Sequence, residues 1–217
     1  MKRVAVVLSG CGFLDGSEIH EAVITLLALD SHDVSYQCFA PDIEQMHVIN
    51  HLHGTISKDE SRNVLVEAAR ICRGQIKDIK EASAAEFDAL ILPGGFGAAK
   101  NLSNFATSGA AMQVNPDVEI LAKAFAAAGK PAGFICIAPA LIATIYGRGV
   151  SCTIGQDTET ANVLEKMGCS HVAAKVDEVV IDQKHKVVTT PAYMLATRIS
   201  EAAAGIEKLV STVLSLA

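Results

Sequence analysis

The stretch 131–147, PAGFICIAPALIATIYG, decides the reading of the fold. It is the longest run without a charged residue, and it just reaches the length of about 17 residues that a membrane span needs. Two prolines and two glycines punctuate it. A buried strand over 131–136, a turn and a helix over 139–147 explain that punctuation better than one continuous span. Pro139 then lies in the first helical turn, where its missing N–H costs nothing. Cys136 is left where the strand ends and the helix begins. That is the arrangement of a nucleophile elbow, in which a sharp turn lifts a side chain clear of the sheet. A helix N-terminus behind the sulfur favours the thiolate and is expected to lower its pKa. The competing view is a buried, inert cysteine, a common core residue.

Working outward, strands and helices alternate. RVAVVL at 3–8 is a buried-type strand, and apolar residues at helical spacing mark 18–30 as a helix with Ser17 as its N-cap. Glu21 falls where a capping box would want it. DVSYQCFAPD at 33–42 is a second strand, and 43–61 is a polar insertion with a small hairpin. A helix over 62–72 follows. FDALILPGG at 87–95 is a third strand running into two glycines. A helix spans 115–129, with Asp117 near its start and Gly129 at its C-cap. After the strand and helix of the opening stretch come a helix over 157–168, a hairpin over 178–190 and an Ala-rich helix over 194–217. The pattern implies one α/β domain over 1–217: a mostly parallel sheet with helices on both faces. In such sheets the site lies beyond the carboxyl ends of the strands. The loops SGCGFLDGSE, PGGFGAAKN and CIAPA then converge on one edge.

Composition narrows the function. Half of the 217 residues are hydrophobic, which supports a sizeable core. The net charge of −6 argues against nucleic acid and anionic membrane as partners. MKRVAVVLSG begins with two basic residues, but its apolar run is too short for a secretory leader. The expected location is the cytoplasm. The six cysteines, Cys11, Cys38, Cys72, Cys136, Cys152 and Cys169, contain no Cys-x-x-Cys pair. Free thiols are expected and a zinc site is not.

Four groups could do chemistry beside Cys136. The glycines of LPGGFGAA free backbone N–H groups to turn toward a ligand; with the amide of Ile137 they could form an oxyanion hole. Glu18 opens the first helix at the same edge. A carboxyl buried beside a thiolate stays protonated and donates to sulfur, and Glu21 and Asp15 compete for that role. Cys11 in the first loop is a candidate resolving thiol. His47, His51 and His53 have spacings that could suit a metal, but no clear carboxylate or thiol partner; surface histidines are the default.

The order of these features resembles a known superfamily. A first strand, Glu18 at the head of the first helix, LILPGG, and GFICIAPAL after a Gly-Lys-Pro step resemble the PfpI-type group, close to the class I glutamine amidotransferases. SGCGFLDGSEIHEA and CFAPD resemble its ElbB group, named for enhancing lycopene biosynthesis. The resemblance implies a flavodoxin-like three-layer sandwich, usually a homodimer. It implies a reactive Cys136, a partner carboxyl at Glu18, and oxyanion donors from the backbone of Gly95 and Ile137. Several members convert small dicarbonyls to 2-hydroxy acids without glutathione.

The chain also departs from its relatives. Ile137 stands where protease-like members have a histidine. TTPAYMLATR lacks the histidine of the amidotransferases, and GVSCTIGQD offers Cys152 and Thr153 where the deglycase branch supplies one. His20 is expected to point to another helix face than Glu18. The expected function is a glutathione-independent glyoxalase of modest activity, needing no cofactor or metal and acting on glyoxal first and methylglyoxal second, with Phe96, Ile137 and Leu14 lining the pocket. The alternative is a non-catalytic redox-sensing or interaction protein linked to isoprenoid metabolism and using the same cysteine.

Overall fold

A computed structural model describes all 217 residues. Seven strands form one sheet: β1 (Arg3–Val7), β2 (Ser35–Ala40), β3 (Ile76–Asp78), β4 (Ala89–Leu92), β5 (Ala132–Ile135), β6 (Val180–Asp182) and β7 (Val187–Thr190). Their spatial order is β6-β7-β5-β4-β1-β2-β3. Every pairing is parallel except the β6–β7 hairpin. Strands β1, β4 and β5 read as almost unbroken apolar runs because helices cover both faces of the sheet. This is the flavodoxin-like α/β fold.

Helices α1 (Ile19–Ser31) and α4 (Ile199–Leu216) cover one face, where Val4, Val6, Ile91 and Ile135 meet Leu29, Leu209 and Val213. Helices α2 (Pro116–Ala127) and α3 (Thr158–Met167) cover the other, where Ala5, Val7, Leu90 and Phe134 meet Leu121, Phe125 and Leu164. Alternate residues along β1 thus serve two separate cores, as the two-residue period of a strand requires.

The insertion carries its hairpin, Ile49–Asn50 against Thr55–Ile56. It is pinned to the first loop by Asp15, whose Oδ2 accepts from Ile49 N at 2.7 Å, and through Asn101, whose Oδ1 accepts from Met46 N at 3.0 Å while its Nδ2 donates to Ser9 O and Asp15 O. Strand β3 was not expected from sequence. The helix expected over 62–72 is regular only over Val64–Ala68, and Arg73 and Gly74 then take positive φ values. Ser17 is not the cap of α1: its buried hydroxyl accepts from Ser9 N at 2.8 Å, and Glu18 takes the N-cap position.

The carboxyl ends of β1, β4, β5 and β7 lie side by side. After β3 the chain returns to the opposite side of β1, so the direction of strand addition switches between β1 and β4. Crevices form at such switch points.

Candidate active site

Strand β5 delivers Cys136. Its backbone sits at φ +62°, a left-handed conformation that non-glycine residues rarely adopt. Its N–H donates to Thr190 O at 3.0 Å, so β7 holds the bend in place. The following helix starts as a 3-10 turn over Ala138–Leu141 before becoming α-helical over Ile142–Tyr146. The cysteine is 7 % exposed and forms part of the wall of a cavity of about 300 Å³.

Two backbone N–H groups face the sulfur, those of Gly95 and Ile137. Neither donates to a backbone carbonyl. The structure therefore brings together the two amides singled out in the sequence. The third approach to sulfur is made by a carboxyl, and it belongs to Glu21. Glu21 is fully buried, its Oε2 accepting from Gly94 N at 3.0 Å and its Oε1 from Tyr193 N at 3.1 Å. Gly94 permits this closeness: a Cβ there would collide with the Cys136 Cβ and stand 2.6 Å from Glu21 Oε2.

Glu18, expected to be the partner carboxyl, lines the same cavity, but its Oε2 accepts from Glu21 N at 2.7 Å as the helix cap. The carboxyl against sulfur comes from one turn further on. A signal for this is present in the sequence. Glu21 shares its helix face with Thr25 and Ala28 at i, i+4 and i+7, and all three are buried. An acid on the sheet-facing stripe of a helix has no water to satisfy it and needs partners inside.

Burial pushes the Glu21 carboxyl up to about 8, although the N–H groups of Tyr193 and Gly94 favour its charged form. Burial also raises the Cys136 thiol, and negative charge on Glu21 raises it further, while the amides of Gly95 and Ile137 pull the other way. The lowering expected from a helix N-terminus is therefore corrected. A buried sulfur beside a carboxyl loses more by desolvation than a short 3-10 turn returns. Charge on the carboxyl thus disfavours charge on the neighbouring thiol.

The cavity is mostly apolar. Phe13, Phe96, Phe105, Ile137 and Met194 contribute to it, with Tyr193 and Thr160 as polar members. Phe96 and Ile137 stand where expected. Leu14 is not in the lining, and the neighbouring Phe13 is. Cys11 faces Glu67, Arg70 and Asp15 instead of the elbow. His51 lies 3.5 Å from Asp15 Oδ1 with its Nδ1 at 3.0 Å from Ile49 O, and no group of three His, Cys, Asp or Glu side chains has metal-holding geometry. All six cysteines are free. Cys38 and Cys72 lie thiol to thiol, as do Cys152 and Cys169, pairings that no local motif announced.

Residues 13–197 match the model of the DJ-1/PfpI family. The chain belongs to that family. Curated relatives share the match over nearly all of this chain. The human glutamine amidotransferase-like class 1 domain-containing protein 3, mitochondrial, is 50 % identical over 223 residues, covering 99 % of this chain and 83 % of its own length. The zebrafish (Danio rerio) ES1 protein, mitochondrial, is 37 % identical over 210 residues, covering 90 % and 78 %. Among solved structures, an isoprenoid biosynthesis protein with amidotransferase-like domain from Ehrlichia chaffeensis has a TM-score of 0.94 at 37 % identity, covering 100 % of this chain and 99 % of that one.

As a DJ-1/PfpI member the chain stands among the class I glutamine amidotransferase-like proteins, a superfamily that includes enzymes. The names of its relatives overturn the cytoplasmic expectation, since both curated relatives are called mitochondrial. The short apolar run of the opening residues bears only on a secretory leader. No helix is long and apolar enough to cross a membrane.

Proposed function

We propose that the chain is a glutathione-independent glyoxalase, converting a small 2-oxoaldehyde to the 2-hydroxy acid through a cysteine hemithioacetal. The observation that carries this reading is the pairing of Cys136 with a buried carboxyl of raised pKa, under two N–H groups and beside an apolar cavity. The thiol is not ionised in advance. Its proton passes to the Glu21 carboxylate as sulfur attacks the aldehyde carbon. The N–H groups of Gly95 and Ile137 face the oxyanion that develops, and the proton taken up by Glu21 passes to that oxygen, completing the hemithioacetal and restoring the carboxylate. Glu21 then removes the hydrogen of that carbon and returns a proton to its neighbour by way of an enediol. The product is a thioester, which water hydrolyses to the hydroxy acid and the free thiol. One carbon is oxidised and the next reduced, so no outside oxidant is needed.

The room available shifts the expected substrate. A cavity of about 300 Å³ walled by aromatic rings exceeds what glyoxal fills. Methylglyoxal and 2-oxoaldehydes with a larger apolar substituent are the better fit. The homodimer implied by the family resemblance is part of this proposal, and an exposed apolar stripe of Ile19, Val23 and Leu27 on α1 supports it.

The test is hydroxy-acid formation from glyoxal and methylglyoxal, without glutathione, by wild type, Cys136→Ser, Glu21→Gln and Glu18→Gln. Cys136→Ser and Glu21→Gln should each lose at least about a hundredfold. Glu18→Gln should keep most of its turnover and lose about 1 kcal/mol of stability with its cap. Because the carboxylate form of Glu21 is required, kcat/KM should rise with pH toward about 8 and then level. A silent wild type would sink the proposal, and a silent Glu18→Gln beside an active Glu21→Gln would reverse the two carboxyls.

A further inference from the structure

The segment TTPAYMLATR contains no histidine, yet it meets one. Tyr193, from this segment, lines the cavity with Cys136, and its hydroxyl lies 2.8 Å from Nδ1 of His20. The two rings are 5.8 Å apart, tilted by 43°. His20 belongs to the first turn of α1, between the cap Glu18 and the buried Glu21. The backbone of Tyr193 is tied to the same turn through its N–H on Glu21 Oε1. The phenol position is thus fixed from both ends of its residue, by the carboxyl that faces sulfur and by an imidazole at the surface.

The reaction above leaves a proton unassigned. Glu21 handles the hydrogen on carbon, but the carbonyl oxygen remote from sulfur must gain a proton as the enediol forms, and it keeps that proton as the 2-hydroxyl of the product. A second acid–base group is required on the cavity side. Tyr193 has the right chemistry. Burial, then the charges of Glu18 and Glu21, raise its phenol above the ordinary value, so it is a proton donor at neutral pH. The groups facing it are those two carboxyls and His20 from α1, with Cys136 on the neighbouring strand end.

We propose that Tyr193 and His20 form a proton relay that serves the substrate oxygen remote from sulfur and replaces the histidine missing from the chain's other loops. This assignment rests on the glyoxalase reading. In the tautomer protonated on Nδ1, His20 donates to the Tyr193 oxygen, and Tyr193 donates to the substrate carbonyl. When the tyrosine proton moves to substrate, the Nδ1 proton moves to tyrosine, and Nε2 takes a replacement from water. Collapse of the enediol releases the proton of the other hydroxyl, on the carbon bearing sulfur, to the hydroxide left by that water, and exchange with solvent restores the Nδ1 tautomer. Tyr193 is the catalytic member, and His20 acts through it as a positioning and proton-exchange residue.

The experiment measures kcat and KM for methylglyoxal across pH with Tyr193→Phe, His20→Gln and the double variant. Iodoacetamide labelling of Cys136 monitors the integrity of the site. Tyr193→Phe should lose about a hundredfold in kcat with little change in KM. His20→Gln should lose about tenfold in kcat with little change in KM. The double variant should be no slower than Tyr193→Phe, as members of one relay are not additive. His20 is exposed, so its replacement does not threaten folding. Wild-type kcat in Tyr193→Phe or in His20→Gln would overturn the relay and leave the glyoxalase reading standing. A wild type that labels normally at Cys136 but forms no lactate would remove both.

Discussion

At the scale of single residues, the site is set by a cysteine held at an unfavourable angle and an acid held out of water. Left-handed backbone costs an L-residue roughly 1–3 kcal/mol when the surroundings enforce it. Glycine escapes that cost. Cys136→Gly should therefore be more stable than Cys136→Ala by about 1 kcal/mol, despite removing more side chain. Urea midpoints of the two variants would show it, and equal midpoints would mean that the bend is relaxed. The bend was legible in the sequence because an apolar strand, a cysteine and an early proline leave few other conformations. The choice between Glu18 and Glu21 was not settled by motif order, which serves either. It turns on the helix start: with Glu18 as cap, its side chain folds back over the first turn, and Glu21 faces the sheet. His20 and Tyr193 lie far apart in the chain, and neither carries a motif, so their contact exists only in the fold.

Among the elements, those with a clear period were legible and those without one were not. Helices α1, α2 and α3 and strands β1, β4 and β5 lie within a few residues of their expected spans. Strand β3 is Ile-Lys-Asp, too short to show alternation, and it is a strand because β2 offers it a free edge. Helix α4 shows how packing overrules propensity. Gly205 lies inside it, where alanine is ordinarily better by about 1 kcal/mol. Yet a Cβ at 205 would stand 2.5 Å from Val176 O and 2.6 Å from Thr190 Oγ1. Gly205→Ala should therefore lower the melting temperature, with a cost of about 1–3 kcal/mol for the forced shift of helix from sheet. A rise in melting temperature would show that α4 moves away freely.

For the whole molecule, the buried acid makes stability depend on pH. Glu21 titrates near 8 in the folded chain, against an ordinary value of 4.5. Between those values the unfolded chain has released a proton that the folded chain keeps. Its contribution to stability therefore falls as pH rises through that window, by up to about 1.4 kcal/mol per unit, and levels off above it. The difference in unfolding free energy between wild type and Glu21→Gln should drift against wild type from pH 5 to 8. A constant difference would mean that Glu21 is charged throughout.

The strand order also has a temporal side. Strand β1, the first to be made, lies inside the sheet, and the sheet grows outward from it in both directions. The groups at the sulfur come from positions 21, 95 and 137, and the ties on Glu21 come from 94 and 193. Such distant contacts close late and slowly. A chain emerging from a ribosome, or any partly folded form, carries Cys136 long before it has a carboxyl and amides to set against it. Completion of the fold thus shields a thiol that would otherwise meet every electrophile in its surroundings, and leaves it reactive only toward what enters the cavity beside its carboxyl and amides.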